Sequence, residues 1–203
     1  MLWLATHPQL MLSRQRKRWF TPKPLQLGEN ERLRVLLAIA EPKAPGPDGA
    51  NLGPVKYYEI LDTLQELAAK PGSKIELLEP INPATYGSVE TSLEQGQPHL
   101  FHFIGHARLR DEQQRDVGQV ALVDNLQGAP EWTEARNFSE LFNRHKPSLV
   151  LIQACESAAG PPSEAFGGVA SQRMENDILL SLEMQYEETN ATARTFEIDI
   201  SDR

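Results

Sequence analysis

Three stretches of the chain are short, apolar almost throughout, and rich in β-branched or aromatic residues. They are Arg32 to Ala40 (Arg-Leu-Arg-Val-Leu-Leu-Ala-Ile-Ala), Leu100 to His106 (Leu-Phe-His-Phe-Ile-Gly-His) and Ser148 to Cys155 (Ser-Leu-Val-Leu-Ile-Gln-Ala-Cys). Runs of this kind are strands buried on both faces of a parallel sheet. Lys74 to Leu78 and Ile178 to Met184 predict two further strands, and Gly118 to Asp124 an inserted strand or hairpin. Between them the apolar positions change period. Tyr57, Ile60, Leu61, Leu64, Leu67 and Ala68 fall at helical spacing, and Pro71-Gly72 stops that helix. Ala84 to Gln95, with Val89 and Leu93 on one face, and Trp132 to Asn143, with Phe138, Leu141 and Phe142, predict two more helices. Ser163-Glu164-Ala165-Phe166 starts a helix expected to reach Glu175, and a last one is expected from Glu188 to Phe196. Strands alternating with helices predict a doubly wound α/β fold.

Residues 1–30 lack a clear period and are expected to be an entry segment, partly irregular, that could add an edge strand to the domain spanning 31–203. Glu41 to Pro54 carries four prolines and three glycines, so it must be a loop. At 14 residues it is long for a strand–helix connection, and long loops are often functional.

The carboxyl ends of two strands carry the chemistry. His106 closes the second apolar run and Cys155 the third. In open α/β sheets ligands bind in the crevice outside the strand ends. Neighbouring strands lie about 4.8 Å apart. If these two strands are neighbours, an imidazole and a thiol share one pocket, the arrangement of an activated cysteine nucleophile. A free thiol is only a few per cent ionised at neutral pH, and a nearby imidazole takes its proton. The oxyanion formed after attack on a carbonyl needs donors, and the backbone N–H groups of Cys155 and Ala107 are placed to supply them. Asp124, Gln153, Glu156 and Gln185 lie at predicted strand ends and are candidates to line a substrate cleft. His99 and His102 alternate in a strand and read as core or edge residues. His145 reads as a capping charge at a helix end, and His7 has no context.

Composition narrows the class. Twenty-eight acidic residues against 20 basic ones give a net charge of −8, which argues against binding nucleic acid by neutralising phosphates. One cysteine excludes an internal disulfide and a cysteine-based zinc site, and fits a reducing cytoplasm. No carboxylate–histidine cluster has metal-ligand spacing, and no glycine pattern of a nucleotide-binding loop follows the first strand. No cofactor is therefore expected. No apolar run approaches the ~18 residues of a membrane span. The basic residues Arg14, Arg16, Lys17 and Arg18 follow the apolar start, the reverse of a secretory signal.

The chain resembles CHAT domains, the caspase-like cysteine peptidases often found beside TPR repeats. Pro98-His-Leu-Phe-His-Phe-Ile-Gly-His106 matches the family's H-F-x-G-H-G box, and Leu149-Val-Leu-Ile-Gln-Ala-Cys-Glu-Ser157 its L-x-A-C-x-S box. Leu33 to Ala40, Phe166-Gly-Gly-Val-Ala170 and Met184 onward to Arg194 support the match, which covers roughly residues 8 to 196. The resemblance implies a three-layer α/β sandwich of the caspase and flavodoxin-like kind, with a mostly parallel sheet and helices on both faces. It implies His106 as general base and Cys155 as nucleophile of a peptide-bond hydrolase. Such domains serve as effectors in bacterial defence or regulated self-destruction, with a protein substrate and a TPR or other sensor protein as activator. Two departures qualify it. Ala107 stands where the family has glycine, and the sequence after Glu188 is shorter than in family members, so a C-terminally truncated domain that needs a further segment or partner is expected. A non-catalytic domain that binds partner proteins is the alternative.

Overall fold

The computed structural model describes residues 25–46, 49, 51–112, 115–156 and 180–184. Within them the elements run β1 (Leu33–Ile39), α1 (Tyr58–Ala69), β2 (Ile75–Leu77), α2 (Tyr86–Gly96), β3 (Leu100–Glu112), β4 (Arg115–Val123), β5 (Pro130–Glu134), α3 (Ala135–His145), β6 (Leu149–Glu156) and β7 (Leu180–Met184). The predicted helices after Ser163 and after Glu188, and most of the entry segment, lie outside the described residues.

The fold is α/β, built on a mixed sheet. Strands β1 and β2, β1 and β3, β3 and β6, and β6 and β7 pair in parallel, whereas β3 and β4, and β4 and β5, pair antiparallel. The centre is β3. Its first part lies between β1 (Val35↔Leu100 to Ile39↔Ile104) and β6 (Leu100↔Leu149 to Ala107↔Glu156). Its second part, His106 to Glu112, pairs with β4 (His106↔Ala121 to Glu112↔Arg115). The histidine strand therefore does not end at His106, as the apolar run predicts, but continues as one arm of a hairpin. The continuation alternates Ala107-Arg108-Leu109-Arg110, the pattern of a strand no longer enclosed on both faces.

Alternation along the strands divides the core in two. Leu36, Ala38, Phe101, Phe103, Val120, Leu122, Val150 and Ile152 meet Val89 and Leu93 of α2 and Phe138, Leu141 and Phe142 of α3. Phe138 sits edge-on to Phe103 and Phe142, with ring centroids 5.3 and 5.2 Å away, a geometry that adds to area burial. The other alternate positions, Val35, Leu37, Ile39 and Ile104, meet Ile60 and Leu64 of α1 and Val55 and Tyr57 of the preceding loop. α1 ends at Ala69, with Lys70 as its extended C-cap just before Pro71, because proline cannot continue the backbone ladder. α2 starts at a reciprocal cap in which Thr85 accepts from the Ser88 N–H and the Ser88 hydroxyl accepts from the Thr85 N–H. Trp132 to Glu134, read from the sequence as helix, belong to β5, and α3 begins only at Ala135. Trp132 pairs with Ala121 and Thr133 with Val120, so pairing with β4 overrides the helical spacing.

Candidate active site

The register places His106 and Cys155 directly side by side on adjacent parallel strands, near the end of the ladder where β6 stops at Glu156. Neighbouring strand backbones are about 4.8 Å apart, and register partners lie on one face of a sheet. The neighbourhood argued from sequence for the two strands is observed.

His106 is 7 % exposed. Its Nε2 lies 2.8 Å from the carbonyl oxygen of Gly53. A carbonyl only accepts, so Nε2 carries the proton and Nδ1 carries the lone pair. Burial pushes the imidazole below its ordinary pKa, while the Gly53 bond and the negative charge of Glu41 pull the other way. The result is a neutral ring at neutral pH, with one nitrogen anchored and the other basic.

The loop that supplies Gly53 is the long Pro- and Gly-rich connection after β1. Leu52 and Val55 on either side of Gly53-Pro54 are buried, as is Tyr57, so apolar anchors fix the carbonyl. At its other end, the N–H groups of Lys43 and Ala44 donate to the Gly128 carbonyl in the β4–β5 turn at 2.9 and 3.2 Å. Sequence flagged this loop by length but gave no means to single out a glycine carbonyl or Glu41.

The remaining predicted residues are distributed as follows. Ala107 is paired on both sides, with Val120 and with Glu156, and is 1 % exposed in the core against α2 and α3. Its backbone is that of a strand, so replacing the family's glycine introduces no left-handed strain there. Glu156 is its register partner. Gln153 lies two positions before Cys155, paired with Ile104 and Met184. Its Oε1 is buried with no hydrogen-bond partner among the described residues. Asp124 holds the β4–β5 turn: its carboxylate accepts the Gln127 N–H at 2.8 Å and its carbonyl accepts the Gly128 N–H at 3.1 Å. Gln185 lies outside the described residues. His102 is fully buried in the sheet, as read, and His145 lies in the last turn of α3, with its Nε2 buried and unpartnered among the described residues. His99 accepts the Arg34 N–H at Nδ1 (3.0 Å) and sets Nε2 3.3 Å from Glu31, an edge fastening.

Two clefts, of about 410 and 550 Å³, lie away from His106. The larger borders Trp132, over whose ring the Arg108 guanidinium stacks at 3.9 Å while its Nε donates to Gln119 Oε1 at 2.8 Å. Among the described residues, no group of three His, Cys, Asp or Glu side chains could hold a metal ion, and no helix is long and apolar enough to cross a membrane.

The structure is thus an α/β domain whose mixed sheet pairs a histidine and a cysteine position across adjacent strands. The CHAT domain family matches residues 2–175, and the chain belongs to that family. No curated protein matches it.

Proposed function

We propose that this domain is a cysteine endopeptidase of the caspase-like, three-layer kind, with His106 as general base and Cys155 as nucleophile. The observation that carries the reading is the His106↔Cys155 register pair, joined to a histidine whose proton the Gly53 carbonyl holds on Nε2. Nδ1 takes the thiol proton. The thiolate sulfur attacks the scissile carbonyl carbon, and negative charge moves to its oxygen. Collapse of that oxyanion breaks the C–N bond, and the imidazolium returns its proton to the leaving amine. Water, deprotonated by the same nitrogen, then hydrolyses the thioester and regenerates the thiol. Backbone N–H groups at Cys155 and Ala107 are the proposed oxyanion donors, and Asp124, Gln153, Glu156 and Gln185 the proposed cleft residues. The substrate is a partner protein, and the setting a cytoplasmic defence or cell-death response triggered by a TPR or other sensor protein.

A second reading has one observation in its favour. Ala107 is enclosed by strands on both sides, which limits its N–H as an oxyanion donor. A catalytically weak domain that binds its partner without cutting it fits that enclosure.

Iodoacetamide alkylation of Cys155 tests the dyad. The rate is expected to exceed that of a free thiol at pH 6 to 7 and to fall at least tenfold in His106→Ala, with no labelling in Cys155→Ala. Labelling at a free-thiol rate, or a rate indifferent to His106, overturns the proposal.

A further inference from the structure

The carboxylate beside His106 indicates which side chain the cleft would take, a deduction that rests on the peptidase reading above. Ala40 donates its N–H to the Ile104 carbonyl at 2.8 Å, so Glu41 leaves the sheet next to His106. Its side chain is 11 % exposed, and its charge reaches both His106 and Tyr57. A carboxylate so far out of water calls for a cation. The cation is supplied from within, by the Lys43 ammonium two residues along the loop. Lys43 is fastened by its backbone to Gly128, yet its side chain is 76 % exposed, so the ammonium is held at Glu41 from the solvent side. Tyr57 and Tyr58 stack at 4.1 Å between centroids at the start of α1. A mostly buried carboxylate beside His106, held by an exposed side chain of its own chain, has the form of a cation subsite holding a surrogate.

We propose that Glu41 is the specificity subsite for a lysine or arginine side chain of the substrate, and that Lys43 is the internal occupant such a side chain displaces. The distances agree. β1 and β6 flank β3, so Glu41 and Cys155 are separated by two strand spacings, about 9–10 Å. A lysine or arginine side chain reaches about 6–7 Å from its Cα, and an ion-pair contact adds about 3 Å. Alanine or serine falls short, and aspartate meets a like charge.

The test uses the full chain carrying Cys155→Ala, so that binding is read without turnover. Calorimetric titration with Nα-acetyl-arginine methylamide and with benzamidine is expected to give millimolar affinity, and the aspartate analogue none. Glu41→Gln should weaken the basic ligands about tenfold or more, and Lys43→Ala should strengthen them several-fold by removing the competitor. Glu41→Asp, which keeps the charge, should retain the preference for basic ligands. No binding of either basic ligand, equal affinity in Glu41→Gln, or no gain in Lys43→Ala overturns the subsite. The alkylation experiment separates the two claims. Basic ligands that bind through Glu41 beside a cysteine of ordinary reactivity leave the subsite standing and remove the peptidase. A His106-dependent Cys155 with no basic ligand bound removes only the subsite.

Discussion

Replacing Gly105 by alanine puts a methyl group where the core has no room for one. A Cβ built there lies 2.6 Å from Phe103 Cζ, 2.9 Å from Phe103 Cε1 and 3.2 Å from the Ala40 Cβ. The Phe103 ring cannot swing aside cheaply, because it is fully buried and packs edge-on against Phe138. Overpacking of this kind costs about 2 kcal/mol, which for a domain of this size lowers the melting temperature by about 4–8 °C. Circular dichroism melts of Gly105→Ala give the first number. The cause is isolated by a double-mutant cycle with Phe103→Leu, which removes the clashing end of the ring. Alone, Phe103→Leu should destabilise by creating a cavity. Combined with Gly105→Ala it should cost less than the sum, with a coupling of about 1 kcal/mol. Simple additivity, or a Gly105→Ala melting point within a degree of the parent, refutes the steric account.

Two further outcomes follow from the site and the helix caps. Burial lowers the His106 pKa from 6.5, so the unfolded chain binds more protons there; the stability this group confers is present above pH 6.5 and lost as pH falls toward the lowered folded value. His106→Gln should flatten the fall in urea midpoint between pH 7.5 and 5.0, partly rather than wholly since burial lowers His99 as well; an unchanged slope contradicts this, as does an Nδ1–H tautomer for His106 in nitrogen NMR spectra. Thr85→Ala should cost about 1 kcal/mol by removing the α2 cap while Thr85→Ser keeps most of it, and equal urea midpoints for the two variants would show that the cap contributes nothing.

Much of the sheet is legible because its buried strands are written as apolar runs. β1, β6 and the first part of β3 need only that pattern, and the His106↔Cys155 adjacency follows once the two are neighbours. The hairpin is less legible. Arg108 is half-buried and Arg110 exposed, so the apolar run stops while the strand does not. β5 was hidden for a related reason: Phe138, Leu141 and Phe142 set up a helical period that extrapolates backwards over Trp132, where pairing with β4 decides instead. Gly53 shows a different limit. Its contribution is a backbone carbonyl, which every residue has, and only the fold of the loop aims it at Nε2.

One edge of β3 is shared by two strands laid end to end, β1 up to Ile104 and β4 from His106. This seam makes the hairpin a length-adjustable part. Because the β3–β4 ladder grows outward from His106, adding one residue to each arm beyond Asp111↔Asp116 lengthens it and leaves the His106 register untouched. Adding a single residue to one arm moves every later position on that arm to the opposite face. Over evolutionary time the reach of the hairpin can thus vary in paired steps while the histidine at its root stays where it is.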